Sequence, residues 1–231
     1  MIKRTLLLSL LLAASSLQAQ DQQAQAQPSA QAQPQAQPVV PKELEPVIGI
    51  CAACHATNGN AVNDQGVALS LNPAQPKLAG QHAEYLYKQM REFKSVDNKP
   101  AARNNGSMNG MITMLPDEQM QAMANYLAAQ KLEPASSTDT GSTAEGQMIW
   151  RAGIAAKGVP ACTACHGPTG KGMPAQYPAL AGQFPEYLDA QIKAFRDGVR
   201  ANDPAKMMRD IALKMTDAEI KAVSGYAANL R

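Results

Sequence analysis

The sequence contains the same domain-sized segment twice. The pattern Cys-x-x-Cys-His at Cys51–His55 recurs at Cys162–His166, 111 positions later, and P-K-L-A-G-Q at Pro76–Gln81 recurs as P-A-L-A-G-Q at Pro178–Gln183, 102 positions later. The matching segments keep their order, and the offset changes only where loops differ in length. The chain is therefore a tandem duplication of one domain, which limits the fold to two small units of the same kind.

The Cys-x-x-Cys-His motif is typical of covalent attachment of a c-type haem. On one turn of helix the two cysteines share a face, so each thiol can form a thioether with the haem while the following histidine binds the iron. All four cysteines of the chain belong to the two motifs. We therefore predict two covalently attached haem c groups, with thioethers from Cys51, Cys54, Cys162 and Cys165 and axial ligation of iron by His55 and His166.

Two other uses of these cysteines are possible. A disulfide or a thioredoxin-like redox pair would leave the motif histidines without a role, and it would expect a βαβ context that the sequence lacks. A zinc site would need a fourth ligand, because each cluster alone supplies three. Both alternatives are less consistent with the complete motif than haem attachment.

Methionine is the expected ligand at the second axial position of each iron. Only one of the three histidines, His82, lies outside the motifs, and we expect it at a helix start on the surface, whereas twelve methionines are available. A thioether ligand raises the reduction potential of a haem. Met108 and Met208 are related by the repeat, and each precedes an aspartate by nine residues, so we predict these two as the distal ligands. The competing residues nearby are Met111, Met114, Met207 and Met215.

Apolar residues follow a helical period in both copies. Met120, Met123, Ala124 and Leu127 fall at i, i+3, i+4 and i+7, as do Ile220, Val223, Ser224 and Ala227. Residues 82–94 and 184–196 predict another helix pair, and no alternating strand pattern is present. The pattern predicts an all-α fold, with packing roles for the repeated aromatic residues Tyr85, Tyr187, Phe93 and Phe195.

Composition changes mark the boundaries along the chain. Residues 1–19 predict a secretory signal peptide, 20–41 a disordered Gln/Ala/Pro tether, 42–132 a first domain, 133–142 a linker and 143–231 a second domain. Removing Lys3 and Arg4 takes the formal charge from +2 to 0, which gives no basis for binding nucleic acid. No stretch has the ~20 apolar residues of a spanning helix, so at most peripheral membrane association is expected.

The sequence resembles the cytochrome c4 family, dihaem proteins of the bacterial periplasm. The resemblance covers residues 45–131 and 143–231 and includes C-A-A-C-H, P-K-L-A-G-Q-H-x-E-Y-L, G-x-P-A-C-T-A-C-H, P-x-L-A-G-Q-x-x-x-Y-L and M-R-D-I-A. It implies two tandem cytochrome c-like haem domains joined by a short linker, with Met108 and Met208 as distal ligands. It also implies that the backbone carbonyls of Pro76 and Pro178 accept hydrogen bonds from the proximal histidines. The sequence departs from the family in its longer tether and in Pro46, which we expect to interrupt any helix before Cys51.

The resemblance implies a periplasmic electron carrier and not an enzyme. Its redox partners would be respiratory-chain proteins, such as a quinol-oxidising cytochrome complex and a terminal oxidase. A dihaem peroxidase is the main alternative, but it would need an open distal position with acid–base groups beside it. A haem-dependent sensor or a structural subunit of an oxidase is a third possibility.

Overall fold

Helices account for the regular structure of both halves. The computed structural model describes residues 38–63, 68–69, 75–97, 99–134 and 144–231. The first half contains α1 (Glu45–His55), α2 (Ala83–Phe93), α3 (Gly106–Thr113) and α4 (Asp117–Ala129). The second half contains α5 (Ala144–Ala152), α6 (Thr163–His166), α7 (Pro185–Arg196), α8 (Met207–Ala212) and α9 (Asp217–Ala228). Short 3-10 helices lie at Lys42–Leu44, Ala155–Lys157 and Pro204–Lys206.

The all-α prediction is confirmed. In the described ranges the only β pairing is a set of isolated bridges, and no strand forms. The signal peptide at 1–19, the tether up to residue 37 and linker residues 135–142 lie outside the described residues. None of the described helices is long and apolar enough to cross a membrane.

Each half is built around its last helix. The apolar stripes face inward as the helical period predicts: Met120, Met123 and Ala124 on α4 are buried, and so are Ile220 and Val223 on α9. Helix α4 packs against α2, and α9 packs against both α5 and α7. This common arrangement places the loop that follows the Cys-x-x-Cys-His motif beside the last helix in both halves, as shown by the bonds Gly80 N–H to Leu127 O and Gly182 N–H to Ala228 O.

The expectation that Pro46 interrupts the helix before Cys51 is wrong. Helix α1 starts at Glu45 and runs through the whole motif to His55, with Pro46 in its first turn. Proline is tolerated there because the first N–H groups of a helix have no intrahelical acceptor, and its fixed φ already suits the helix. The motif of the first half therefore sits at the end of an 11-residue helix, whereas that of the second half lies on the four-residue helix α6.

The two halves also differ in what covers the last helix. In the second half α5 crosses α9 so closely that a Cβ on Gly146 would lie 2.2 Å from the Ala222 carbonyl oxygen, so only glycine fits there. In the first half the 3-10 helix before α1 contacts α4, and its Leu44 is fully buried. All described residues nevertheless belong to one compact unit, Ala36–Arg231, so the two halves pack against each other.

Candidate haem-binding sites

Each motif brings two thiols and one imidazole together on a helical turn. Cys51, Cys54 and His55 occupy the last turns of α1. In the second half Cys162 is the N-cap residue of α6, and Cys165 and His166 lie within that helix. The spacing i, i+3 places the two sulfur atoms on one face in both halves, which is the arrangement that two thioether bonds to one porphyrin require.

Both histidines are held by a proline carbonyl. Nδ1 of His55 lies 2.9 Å from the carbonyl oxygen of Pro76, and Nδ1 of His166 lies 3.0 Å from that of Pro178. Among the described residues Nε2 of neither ring makes a hydrogen bond. Burial lowers the pKa of both imidazoles, although the bond to the proline carbonyl opposes this effect. Each ring is thus fixed as a neutral imidazole with Nε2 available, which is the form that binds iron.

The cysteines do not have the properties of a redox pair. None of the four cysteines forms a disulfide in the part of the chain that the structure describes. Burial raises the pKa of the Cys51 thiol, and it raises the pKa of the Cys162 thiol to about 11. Reactive dithiols instead have depressed pKa values, because the thiolate is the nucleophile. The donor set therefore fits covalent haem attachment better than thiol–disulfide exchange.

The methionines near the sites differ in exposure. Met108 is half-buried in the first turn of α3, where it packs against the cluster formed by Phe93, Ile112, Leu115 and Met120. Its neighbours Met111 and Met114 are 51% and 87% exposed. Met208 is half-buried on α8, beside the half-buried Met207, while Met215 belongs to the core of the second half. Of Met108, Met111 and Met114, only Met108 is found packed against this cluster, and Met207 lies beside Met208 as its nearest competitor.

The interface between the halves contains polar residues to which the sequence reasoning assigned no role. The guanidinium of Arg103 donates to Oε1 of Gln89 (2.6 Å) and of Gln191 (2.9 Å), and that of Arg200 donates to the same two oxygens at 3.1 and 2.9 Å. Arg103 also reaches the hydroxyl of Tyr187 at 3.2 Å. The two glutamines occupy equivalent positions of the repeat, 89 and 191. This equivalence is the sequence feature that could have identified them.

Each aromatic residue assigned to packing has a polar contact as well. Arg200 donates to the Tyr85 hydroxyl at 3.0 Å, just as Arg103 donates to Tyr187. Guanidinium groups also stack on the rings of the two phenylalanines, with Arg103 at 4.5 Å from Phe93 and Arg200 at 4.4 Å from Phe195. The aromatic residues therefore anchor the contacts between the halves.

His82 also takes part in these contacts and precedes a helix as expected. It is the N-cap residue of α2, and its Nε2 lies 2.8 Å from the carbonyl oxygen of Lys171 in the other half. The ring is therefore engaged at the interface between the halves.

Comparison with known proteins identifies the family. The family model described as cytochrome c matches residues 49–131 and 144–231, one match for each half. A cytochrome c4 from Thiocapsa roseopersicina is 39% identical over 184 residues, which cover 79% of this chain and 88% of that protein. The chain belongs to the cytochrome c4 family. The identity is well above what a shared fold alone would require, and it extends over both halves.

Two further relatives of this cytochrome bear on its structure and its role. The crystal structure of reduced recombinant cytochrome c4 from Pseudomonas stutzeri matches with a TM-score of 0.69 at 34% identity, covering 80% of this chain and 95% of that one. A protein named thiosulfate dehydrogenase electron acceptor, from Thiomonas intermedia strain K12, is 39% identical and covers 79% of both chains. The predicted fold of two tandem cytochrome c domains is confirmed, and the protein is a dihaem electron-transfer cytochrome with two covalently attached haem c groups.

Proposed function

We propose that each half holds its haem through the residues of its own motif. Cys51 and Cys54 would form the thioethers of the first haem, and Cys162 and Cys165 those of the second. The observation that carries this proposal is the duplicated geometry: two cysteines on one helical turn that form no disulfide, followed by an imidazole whose Nδ1 is held by a proline carbonyl. Free thiols are the reactants that attachment to the haem vinyl groups needs.

The axial ligands would be His55 with Met108 in the first half and His166 with Met208 in the second. The carbonyls of Pro76 and Pro178 would fix the orientation of the imidazoles and increase their basicity. Bound haem iron would supply the one-electron chemistry, and a thioether ligand would favour its ferrous state. The equivalent positions of the two methionines in the repeat support this assignment.

We propose that the protein works in the periplasm and passes single electrons between respiratory-chain partners. The donor would be a quinol-oxidising cytochrome complex, and the acceptor a terminal oxidase. The export signal in the sequence and the similarity to cytochrome c4 support this role. Domains 42–132 and 143–231 would each carry one electron, so an electron could enter at one half and leave from the other.

A second donor is suggested by the relative from Thiomonas intermedia, which is named thiosulfate dehydrogenase electron acceptor. That protein and the cytochrome c4 from Thiocapsa roseopersicina are both 39% identical to this chain and cover 79% of it. A thiosulfate-oxidising enzyme is therefore the alternative source of electrons.

Intact mass and a pyridine haemochrome assay test the haem sites together. The wild-type protein, made in a host that attaches haem, should carry two haem c groups. Cys54→Ser should leave one thioether in the first half and reduce haem incorporation there, while the second half stays loaded. Ser107→Ala, an exposed change on α3, serves as a control that should keep both haems. A wild-type mass equal to that of the mature polypeptide would overturn the proposal.

Reduction by the two candidate donors tests the role. We expect the oxidised protein to be reduced rapidly by a quinol-oxidising complex and the reduced protein to be oxidised by a terminal oxidase. Rapid reduction only by thiosulfate with its dehydrogenase would favour the second donor. Catalytic consumption of hydrogen peroxide would instead identify a peroxidase and contradict the carrier role.

A further inference from the structure

Two glutamines form reciprocal contacts between the halves. Gln81 and Gln183 occupy the same place in the repeated P-x-L-A-G-Q segment. Nε2 of Gln183 donates to the carbonyl of Lys77 and its Oε1 accepts from the N–H of Lys77, both at 2.9 Å. Nε2 of Gln81 donates to the carbonyl of Ala179 and its Oε1 accepts from the N–H of Ala179, again both at 2.9 Å. Each side-chain amide therefore pairs with one backbone residue of the other half.

The residues that the glutamines hold directly follow the two prolines. The carbonyl of Pro76 and the N–H of Lys77 belong to the same peptide group. On one side this group accepts from Nδ1 of His55, and on the other it donates to Oε1 of Gln183. One peptide unit thus connects the imidazole of the first half with a side chain of the second.

The second half repeats this connection. The carbonyl of Pro178 accepts from Nδ1 of His166, and the N–H of Ala179, in the same peptide group, donates to Oε1 of Gln81. Two chains of hydrogen bonds therefore cross the interface in opposite directions. Each begins at a motif histidine and ends at a glutamine of the other half.

The bonds of Gln183 lie in a part of the interface that is shielded from water. Gln183 and Lys77 are 7% and 4% exposed. Oε1 of Gln183 also accepts from the N–H of Phe184 at 3.0 Å, which fixes the side chain at the start of α7. The Lys77 ammonium lies 4.8 Å from the centre of the Phe184 ring, and its contact with the carbonyl of Asn60 keeps the lysine in place. Hydrogen bonds in series polarise one another, most effectively where water is excluded.

We propose that Gln81 and Gln183 are positioning residues that act across the interface, each setting the orientation and basicity of the proximal histidine in the opposite half. This role of the glutamines rests on the proposed function, in which His55 and His166 are iron ligands. Polarisation of the Pro76 peptide by Gln183 makes its carbonyl a better acceptor for Nδ1–H. The imidazole then becomes a stronger electron donor to the metal, which favours the ferric state.

The test is a comparison of Gln183→Met with Gln81→Met in the full-length dihaem protein. Methionine keeps the volume of the side chain but removes its amide. We expect Gln183→Met to raise the reduction potential of the haem bound by His55 and to speed hydrogen exchange of the His55 Nδ1–H, with smaller changes at the other haem. Gln81→Met should do the same to the haem bound by His166. Potentials come from spectroelectrochemical titration, and nuclear magnetic resonance assigns each haem through its ligand signals.

Gln191→Met is the matched control. It removes an amide that bridges the halves through Arg103 and Arg200 but that does not touch either proline peptide. It should therefore give no selective shift of one haem over the other. If Gln183→Met fails to load two haems, the half-buried Gln81 still gives the reciprocal measurement.

The possible results distinguish the role of the two glutamines from the assignment of His55 and His166 as iron ligands. A shift confined to the haem of the mutated half, equal shifts at both haems, or no shift at either would overturn the cross-interface role. A wild-type spectrum without two iron-bound histidine rings would overturn the proposed ligands instead.

Discussion

At the scale of single residues, a side chain in this cytochrome is defined by what surrounds it as much as by its type. Twelve methionines are present, and the repeat alone singled out Met108 and Met208. In the structure Met108 packs against the cluster that contains Phe93 and Met120. Met207 and Met208 are both half-buried, so their roles have to be separated by experiment.

Met208→Ala should remove thioether ligation from the second haem alone. Methionine ligation raises the reduction potential of a haem. The reduction potential of the second haem should therefore fall by about 0.1 V or more, which is within the roughly 0.8 V range that axial ligands cover. The measurement is a redox titration together with the long-wavelength band of methionine-ligated ferric haem. Met207→Ala is the control, and it should keep both the band and the potential. The opposite pattern would make Met207 the ligand.

The two repeated tyrosines, Tyr85 and Tyr187, show what sequence spacing can and cannot predict about a single residue. The helical spacing predicted that Tyr85 and Tyr187 would pack, and Tyr187 does pack against the core of the second half, while Tyr85 is half-buried. The bonds from Arg200 and Arg103 to their hydroxyls could not be predicted, because each pair is separated by more than 80 residues in the chain. Spacing shows which face of a helix a residue occupies, whereas its partner depends on how distant segments meet.

At the scale of elements, local signals determined where helices begin. Helix α9 starts with a capping box of the Thr-x-x-Glu type: the Thr216 hydroxyl accepts from the N–H of Glu219, and the Glu219 carboxylate accepts from the N–H of Thr216. Lys157 also donates to that carboxylate, at 2.7 Å. The Pro46 prediction failed for a related reason, because the effect of a proline on a helix depends on whether it lies in the first turn or further along.

Glu219→Gln keeps an acceptor oxygen in the capping box but loses the charge that pairs with Lys157, so it should destabilise the second half at neutral pH by roughly 0.2–1 kcal/mol. The bonds from Lys157 and from the Thr216 backbone lower the pKa of Glu219 in the folded state. The stabilisation is therefore fully present above the unfolded-state pKa of roughly 4.3 and is lost as the pH falls through the folded-state value. The difference between wild type and variant should shrink below about pH 4.

Thr216→Ala provides the comparison for that prediction. This variant removes the hydroxyl that accepts from the N–H of Glu219 in the capping box, but it removes no titrating group. The loss of about 1 kcal/mol in the free energy of unfolding should therefore persist at low pH. Guanidinium unfolding followed by the fluorescence of Trp150, the single tryptophan of the chain, reports on the second half. Equal pH dependence in the two variants would contradict the role given to the Glu219 carboxylate.

At the scale of the whole molecule, the duplication produces an interface in which each half supplies the same residues to the other. Arg103 and Arg200 share both of their amide acceptors, and Gln81 and Gln183 exchange backbone partners. Arg200 is 8% exposed, so its guanidinium lies in a largely water-free region. The two haem domains are therefore connected by specific polar contacts, and we expect them to unfold as one cooperative unit.

A double-mutant cycle tests the shared acceptors. In Arg103→Met or Arg200→Met the remaining guanidinium still satisfies both glutamine oxygens, and repulsion between the two cations is relieved. The double variant loses both donors, so it should cost more than the sum of the single changes, by about 0.5–3 kcal/mol. The free energy of unfolding of the dihaem protein is the quantity to measure.

Arg91→Met with Arg196→Met is the control cycle. These arginines pair with Asp117 and Asp217 within their own halves, so their effects should add. Additivity in the Arg103 and Arg200 cycle as well would mean that the two guanidinium groups act independently.

The sequence by itself determined the chemistry and the local structure of this protein. Haem attachment, helix periodicity and capping depend on residues a few positions apart, such as Cys51 and Cys54, so their pattern is visible in one dimension. Only the tertiary structure decided which segments of the two copies meet. The contact of Gln183 with Lys77 spans 106 positions and depends on how two folded domains dock, and short-range spacing carries no information about that arrangement.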